Sequence, residues 1–250
     1  MLDASSVTVV LDAYGPERSA LLDLLGALSP ADLARPTECP QYSVHGVALH
    51  VLGDDLSLLS RQRDRAENGV ALLSTELTGA DFRTLLDTFN DRFVAATRFL
   101  SPALVVELLR LTGDWTEAYY RDVDPEAPGE AVGLFGAPHG GTSPLWHAIA
   151  REYMERLIHH SQIRRALGLS SVVDRPLLVP GVEVAAAIAR LPAGIPTDPG
   201  DPWRLGDIVL GPAEQAADIL TRAHSCDEVR HLASGPSDLV ELFAAVAGRP

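Results

Sequence analysis

Residues 151–168 read Arg151-Glu152-Tyr153-Met154-Glu155-Arg156-Leu157-Ile158-His159-His160-Ser161-Gln162-Ile163-Arg164-Arg165-Ala166-Leu167-Gly168, the pattern of a helix. Glu155 and His159 stand four apart, so 3.6 residues per turn set a carboxylate and an imidazole on one face, one turn from each other. Such a pair occurs on many helices as a plain surface contact. Tyr153, Met154, Leu157 and Ile158 argue instead for a helix packed within a bundle, where an unpaired charge is costly. A divalent metal would partner both groups there if a third ligand came from elsewhere.

The chain upstream is predicted to be all α. Residues 16–28 carry an apolar stripe of leucines, and Ser29-Pro30-Ala31-Asp32 reads as a helix end followed by a short capped turn. Ser43 is expected to cap a second helix from Val44 to about Asn68, with Asn68-Gly69 as its stop. A third helix is predicted over 80–100. Ser101-Pro102 opens a fourth that runs to about Arg121, with Gly113-Asp114 a candidate kink. Residues 124–141, rich in Gly, Pro and acids, read as a long loop. Thr142-Ser143-Pro144 is expected to cap the helix holding Glu155 and His159, predicted from Pro144 to Leu167. Long amphipathic helices with modest loops predict an up-down four-helix bundle.

Past Gly168 the pattern changes. A broken apolar run over 172–179 stops at Pro180-Gly181, and an Ala-rich helix is predicted over 182–190. Residues 203–210 read as a strand interrupted by glycine, and 214–223 and 237–246 as helices. The expected organisation is a bundle over 1–171 and a small C-terminal α/β domain over 172–250, with no internal repeat.

Composition narrows the function. Hydrophobic residues make up 46% and charged ones 22%, ordinary for a globular chain. The net charge of −14 argues against nucleic acid or an anionic membrane as partner, because both need clustered positive charge. Every basic residue other than histidine is Arg, which excludes a lysine Schiff base. Two cysteines, Cys39 and Cys226, are too few for a disulfide framework and form no CxxC pair. The opening Met-Leu-Asp-Ala-Ser lacks a signal-peptide pattern, and no run reaches the roughly 18–20 apolar residues of a membrane span. A cytoplasmic setting is expected. Phosphate-cradling glycine loops, H-E-x-x-H and G-x-S-x-G are all missing from the sequence.

His50 is the natural third ligand. It lies among apolar residues of the second helix, between Leu49 and Val51, where a histidine can equally be a core side chain. Brought beside Glu155 and His159, it would complete a His, Glu, His set with an open coordination position, the catalytic arrangement.

At these residues a family resemblance enters. Pro36-Thr37-Glu38-Cys39-Pro40-Gln41-Tyr42-Ser43-Val44, with His50 seven residues after Ser43, resembles a signature of the mycothiol-dependent maleylpyruvate isomerase family. That family belongs to the DinB-like metal-binding four-helix bundles. Glu155-x-x-x-His159 with Ile163-Arg164-Arg165-Ala166-Leu167-Gly168 is similar to its second signature. The resemblance covers residues 10–168 closely and the tail more loosely. It implies a divalent metal on His50, Glu155 and His159, usually zinc, with nickel or another ion as alternatives. It also implies a low-molecular-weight thiol such as mycothiol, used to isomerise a small electrophile or to transfer sulfur to it. The alternatives are a metal- or thiol-binding protein without catalysis, and a hydrolase using a metal-activated water. The chain departs from the family pattern at Gln162, where Asp is frequent, at Tyr42, where Trp is, and at Gly46, where an acid is common. Gln162 could orient a neighbour through its amide without adding charge.

Other residues carry less. Arg151, one turn before Glu155, could hold an acidic substrate or form a salt bridge. Arg249 is a candidate carboxylate contact by the resemblance alone. His160 should point about 100° away from His159, towards solvent or another helix. His147 is too far along the helix to share a metal with His159. His45, His139, His224 and His231 show no ligand spacing. Cys39 reads as a packed thiol, and Trp115 and Trp146 as core.

Overall fold

A computed structural model of the chain describes residues 2–129 and 142–247. Within them lie α1 (Thr8–Gly26), α2 (Pro30–Leu33), α3 (Val44–Leu58), α4 (Gly69–Glu76), α5 (Phe82–Thr97), α6 (Pro102–Asp122) and α7 (Leu145–Ala166). There follow α8 (Arg175–Ala189), β1 (Ala193–Gly194), β2 (Trp203–Leu205), β3 (Ile208–Gly211), α9 (Ala213–Leu220), α10 (Cys226–Leu232) and α11 (Ser237–Ala247). The fold is mainly α with a small α/β part at its C-terminal end. The long helices predicted before residue 168 are present as α1, α3, α5, α6 and α7. Most of the expected 124–141 loop lies outside the described residues. Among the described residues, no helix is long and apolar enough to cross a membrane. Residue contacts divide the chain into two compact units, 18–122 and 1–17 with 123–250.

In the 18–122 unit, Ser43 caps α3 as expected, its Oγ accepting from the Gly46 N–H. The helix ends earlier than the sequence suggests. It passes at Leu59–Arg63 into a π-helical turn. Asn68 is then no stop: its Oδ1 accepts from the Val70 N–H and caps α4. The same Asn can close one helix or open the next, and the Val70 donor decides it here. Nor does Gly113 kink α6. A Cβ there would lie 3.0 Å from Arg18 Cγ, so the glycine makes room for a buried guanidinium. Arg18 donates from Nη2 to Asp55 Oδ1 at 3.0 Å, and Thr112 donates to Asp55 Oδ2 at 2.7 Å. This buried trio ties α1, α3 and α6 together.

In the other unit, α1 begins at Thr8 and runs through Pro16, although the sequence predicts a start at Pro16. Val10, Leu11 and Tyr14 bury their side chains, and Tyr14 OH donates to the Ile149 carbonyl of α7 at 2.5 Å. That burial outweighs the one donor Pro16 removes. The expected stop at Pro180-Gly181 is also overridden, since both residues lie inside α8. A Cβ on Gly181 would come within 2.7 Å of Leu157 Cδ2, so the glycine permits close approach of α7 and α8. Tyr153 OH donates to the Leu177 carbonyl across the same contact, at 2.6 Å. The segment expected to be one interrupted strand is a hairpin. Gly206, at φ +55°, turns the chain between β2 and β3, which pair antiparallel, with β1 on the far side of β2. The sheet, α8 to α10 and α11 close over a core that includes Leu178, Val182, Trp203, Leu205 and Ile208.

Candidate metal centre and adjoining cleft

α7 carries the histidine–carboxylate pair that the sequence singles out. It is apolar around most of its circumference, with Ile149, Tyr153, Leu157 and Ile163 fully buried. Glu155 and His159 project from one face, as their spacing predicts, with His159 Nε2 3.8 Å from Glu155 Oε2. His159 is 8% exposed, while the Glu155 side chain is about a third exposed, so the pair sits at the edge of the core. Gln162, one turn on, places Oε1 2.9 Å from His159 Nδ1. The amide oxygen can only accept, so Nδ1 donates in this contact and Nε2 faces the side where Glu155 lies. Metal-binding histidines are usually oriented through the second ring nitrogen in this way. The departure at Gln162 therefore keeps the orienting function expected of an acid there, without its charge.

α3, in the 18–122 unit, carries a second histidine–carboxylate pair. His50 Nε2 lies 3.4 Å from Asp54 Oδ2, one turn on. The His50 ring stacks on Tyr42, with centroids 5.7 Å apart and planes inclined by 28°. Tyr42 OH donates to Asp91 at 2.6 Å, and burial together with this carboxylate pushes its phenol well above the usual pKa. A Cβ on Gly46 would lie 3.2 Å from Tyr42 Cβ, so the glycine accommodates the tyrosine that backs His50. The two departures at 42 and 46 are one packing solution.

Asp54 and Tyr42 both stand against His50, and the sequence reading singled out neither as its neighbour. Asp54 stands in the same i, i+4 relation to His50 as His159 does to Glu155, so its signal was present. Nothing in the sequence marks Tyr42 as the ring behind His50.

The remaining candidates separate. Arg151 pairs with its neighbour Glu152, Nη2 donating to Oε1 at 2.7 Å. His160 is 1% exposed and faces away from the pair, its Nδ1 3.1 Å from Glu17 Oε1 of α1, an interhelical contact. His147 is partly buried with Trp146 edge-on against it, and burial lowers its pKa against a weaker opposing pull from Glu126. Trp115 is not core: it is 47% exposed, with the Arg63 guanidinium 5.9 Å above its ring. α6 buries Val105, Leu109, Thr112 and Thr116 along one stripe, and Trp115, about 100° round the helix from Thr116, falls to the side of it. His139 and Arg249 lie outside the described residues. Cys39 and Cys226 are partly buried and form no disulfide.

Beside Glu155 the 1–17/123–250 unit holds a cleft of about 100 Å³. Its walls are apolar side chains of α7, α8, α9 and α11, with polar groups from Arg151, Glu155 and Arg222. The proposed ligand carboxylate thus stands next to a space that can receive a small organic body.

No curated protein and no solved structure matches the chain significantly. The family model described as mycothiol maleylpyruvate isomerase N-terminal domain matches residues 14–164, which take in both histidine–carboxylate pairs, Tyr42 and Gln162. The chain belongs to the mycothiol maleylpyruvate isomerase N-terminal domain family.

Proposed function

We propose that the protein is a divalent-metal-dependent enzyme that uses a low-molecular-weight thiol of the mycothiol kind to isomerise a small electrophile or transfer sulfur to it. The metal would be held by His50, Glu155 and His159, with Asp54, one turn from His50, as a further carboxylate donor. Two imidazoles and carboxylates suit zinc, and fit nickel or another divalent ion as well. The observation that carries the reading is the Gln162–His159 contact, which sets the histidine's tautomer for ligation through Nε2. Family membership supports the link to mycothiol.

When bound, the metal supplies the positive charge that lowers a thiol's pKa and makes it nucleophilic at neutral pH. The chain's own residues do the rest. Gln162 keeps the Nδ1 proton of His159 in place, Tyr42 backs the ring of His50, and the cleft beside Glu155 receives the electrophile's body. Residues 1–171 form the metal-binding part in this reading and 172–250 the appended α/β domain, which supplies cleft walls from α8, α9 and α11. A reduced cytoplasm suits both the thiol and a chain with two cysteines and no disulfide.

The test is elemental analysis of protein purified without a histidine tag, followed by a thermal-shift series with mycothiol, bacillithiol, glutathione and coenzyme A. About one divalent ion per chain is expected, lost in His50→Ala, with stabilisation by mycothiol above the others. A metal-free wild type whose melting ignores chelators overturns the metal reading. Metal without stabilisation by any thiol overturns the thiol reading and leaves hydrolysis or plain metal binding.

A further inference from the structure

The cleft beside Glu155 has a lining that selects among ligands. Met154 and Ile158 of α7, Val184 and Ile188 of α8, Leu220 of α9 and Phe243 of α11 make its walls apolar. Its three charged groups differ in what they have left to give. Arg151 is already paired with Glu152. Glu155 faces His159. Arg222 is exposed and makes no ion pair among the described residues.

Arg222 is also held in place. It follows α9 directly and takes the left-handed backbone conformation, φ +60°, where glycine is the usual residue. The preceding Thr221 is fully buried and clamped by Arg165, which donates from Nη1 to Thr221 Oγ1 at 2.8 Å and from Nη2 to its carbonyl at 3.1 Å. Arg165 Nη1 donates as well to Ser171 Oγ at 2.6 Å, and Ser171 donates to Asp218 at 2.5 Å. The backbone beneath Arg222 is thereby fastened to the end of α7, the helix that carries Glu155. A guanidinium carried on fixed backbone at the mouth of an apolar pocket is a complement to a carboxylate on a hydrocarbon body.

We propose that this cleft binds a monocarboxylate with an apolar body, Arg222 holding the carboxylate and the α7, α8, α9 and α11 side chains covering the hydrocarbon. Size limits the body. A cavity of about 150 Å³ accepts the six carbons of benzene, so the 100 Å³ here suits roughly four carbons, with the carboxylate end at the rim. A polar dicarboxylate would leave its second charge against apolar walls, which is costly. Calling this ligand the electrophile rests on the function proposed above; its binding by the cleft does not.

Isothermal titration of the full chain as purified, with its metal content measured on the same sample, tests this. The probes are hexanoate, butyrate, acetate and hexanamide. Affinity should rise by about fourfold for each added methylene until the cleft is full, and hexanoate should bind about tenfold or more tighter than hexanamide. Arg222→Gln should erase the preference for carboxylate over amide, and Arg222→Lys should keep part of it. Ile188→Ser should flatten the chain-length series while leaving the carboxylate preference intact. Equal binding of acetate and hexanoate overturns the apolar subsite. A carboxylate preference that survives Arg222→Gln overturns the anchor. Should Arg222→Gln fail to fold, the wild-type preference for hexanoate over hexanamide decides. Hexanoate binding to a metal-free chain would sink the proposed function and leave this inference standing, whereas metal and thiol binding without any carboxylate binding would do the reverse.

Discussion

Gln162 Oε1 sits 2.9 Å from His159 Nδ1, one helical turn along α7. This contact distinguishes the two ring nitrogens, Nδ1 donating to the amide and Nε2 turned towards Glu155. Its neutral amide gives that orientation without the negative charge a carboxylate would add.

The first prediction concerns that contact. Gln162→Leu removes the acceptor and lets the His159 ring turn, so metal affinity should fall by roughly 10- to 100-fold. Competition against a chromogenic chelator measures it. Unchanged affinity in a folded variant would show that Gln162 does not orient the ligand.

A second lies in the buried trio of the 18–122 unit. Asp55→Ala leaves the Arg18 guanidinium, 4% exposed as a residue, without its carboxylate. Breaking a buried pair from one side costs about 3–5 kcal/mol, to be read from the urea midpoint. The double variant Arg18→Met, Asp55→Leu should recover much of that loss, because no uncompensated charge then remains.

The third is a pH dependence. Burial lowers the pKa of His45, against a smaller opposing effect of a backbone hydrogen bond with Leu100. Burial lowers that of His147 in the same way. Both groups therefore take up protons in the unfolded chain from about pH 6.5 downwards, before the folded chain does. Stability that is complete above that pH should be lost as pH falls through the depressed values. Melting temperatures between pH 7.5 and 5, taken with chelator present to remove any metal contribution, should decline. The decline should be shallower in His45→Gln.

A fourth tests the approach of α7 and α8. Gly181→Val would drive side-chain atoms into Leu157, which is fully buried. Overpacking of this kind costs about 1–3 kcal/mol. A melting temperature equal to wild type would mean that the two helices have slack at this point.

The helical elements and the caps at Ser29, Ser43 and Ser101 were legible because they depend on spacing and on side-chain acceptors a few residues away. So was the Glu155/His159 pair, since a helix places i and i+4 on one face whatever surrounds it. Other positions had two local readings, and distant contacts chose between them. Asn68 opens α4, Pro16 and Pro180 lie within helices, and Gly206 turns a hairpin where one strand was expected. In each case a cap donor, a buried stripe or a pairing strand outweighed the local signal.

By itself the sequence determined a mainly α chain, two histidine–carboxylate spacings on helices and the signatures of the family, all of them short-range patterns. Only the tertiary structure decided that Gln162 fixes His159, that Tyr42 backs His50, and that Arg222 and Glu155 border one apolar cleft. Gln162 lies one turn from its partner, but an amide can turn to several neighbours and the packing around α7 selects one. Tyr42 and Arg222 owe their positions to side chains far along the chain, Asp91 for the first and Arg165 for the second, and no local pattern encodes such contacts.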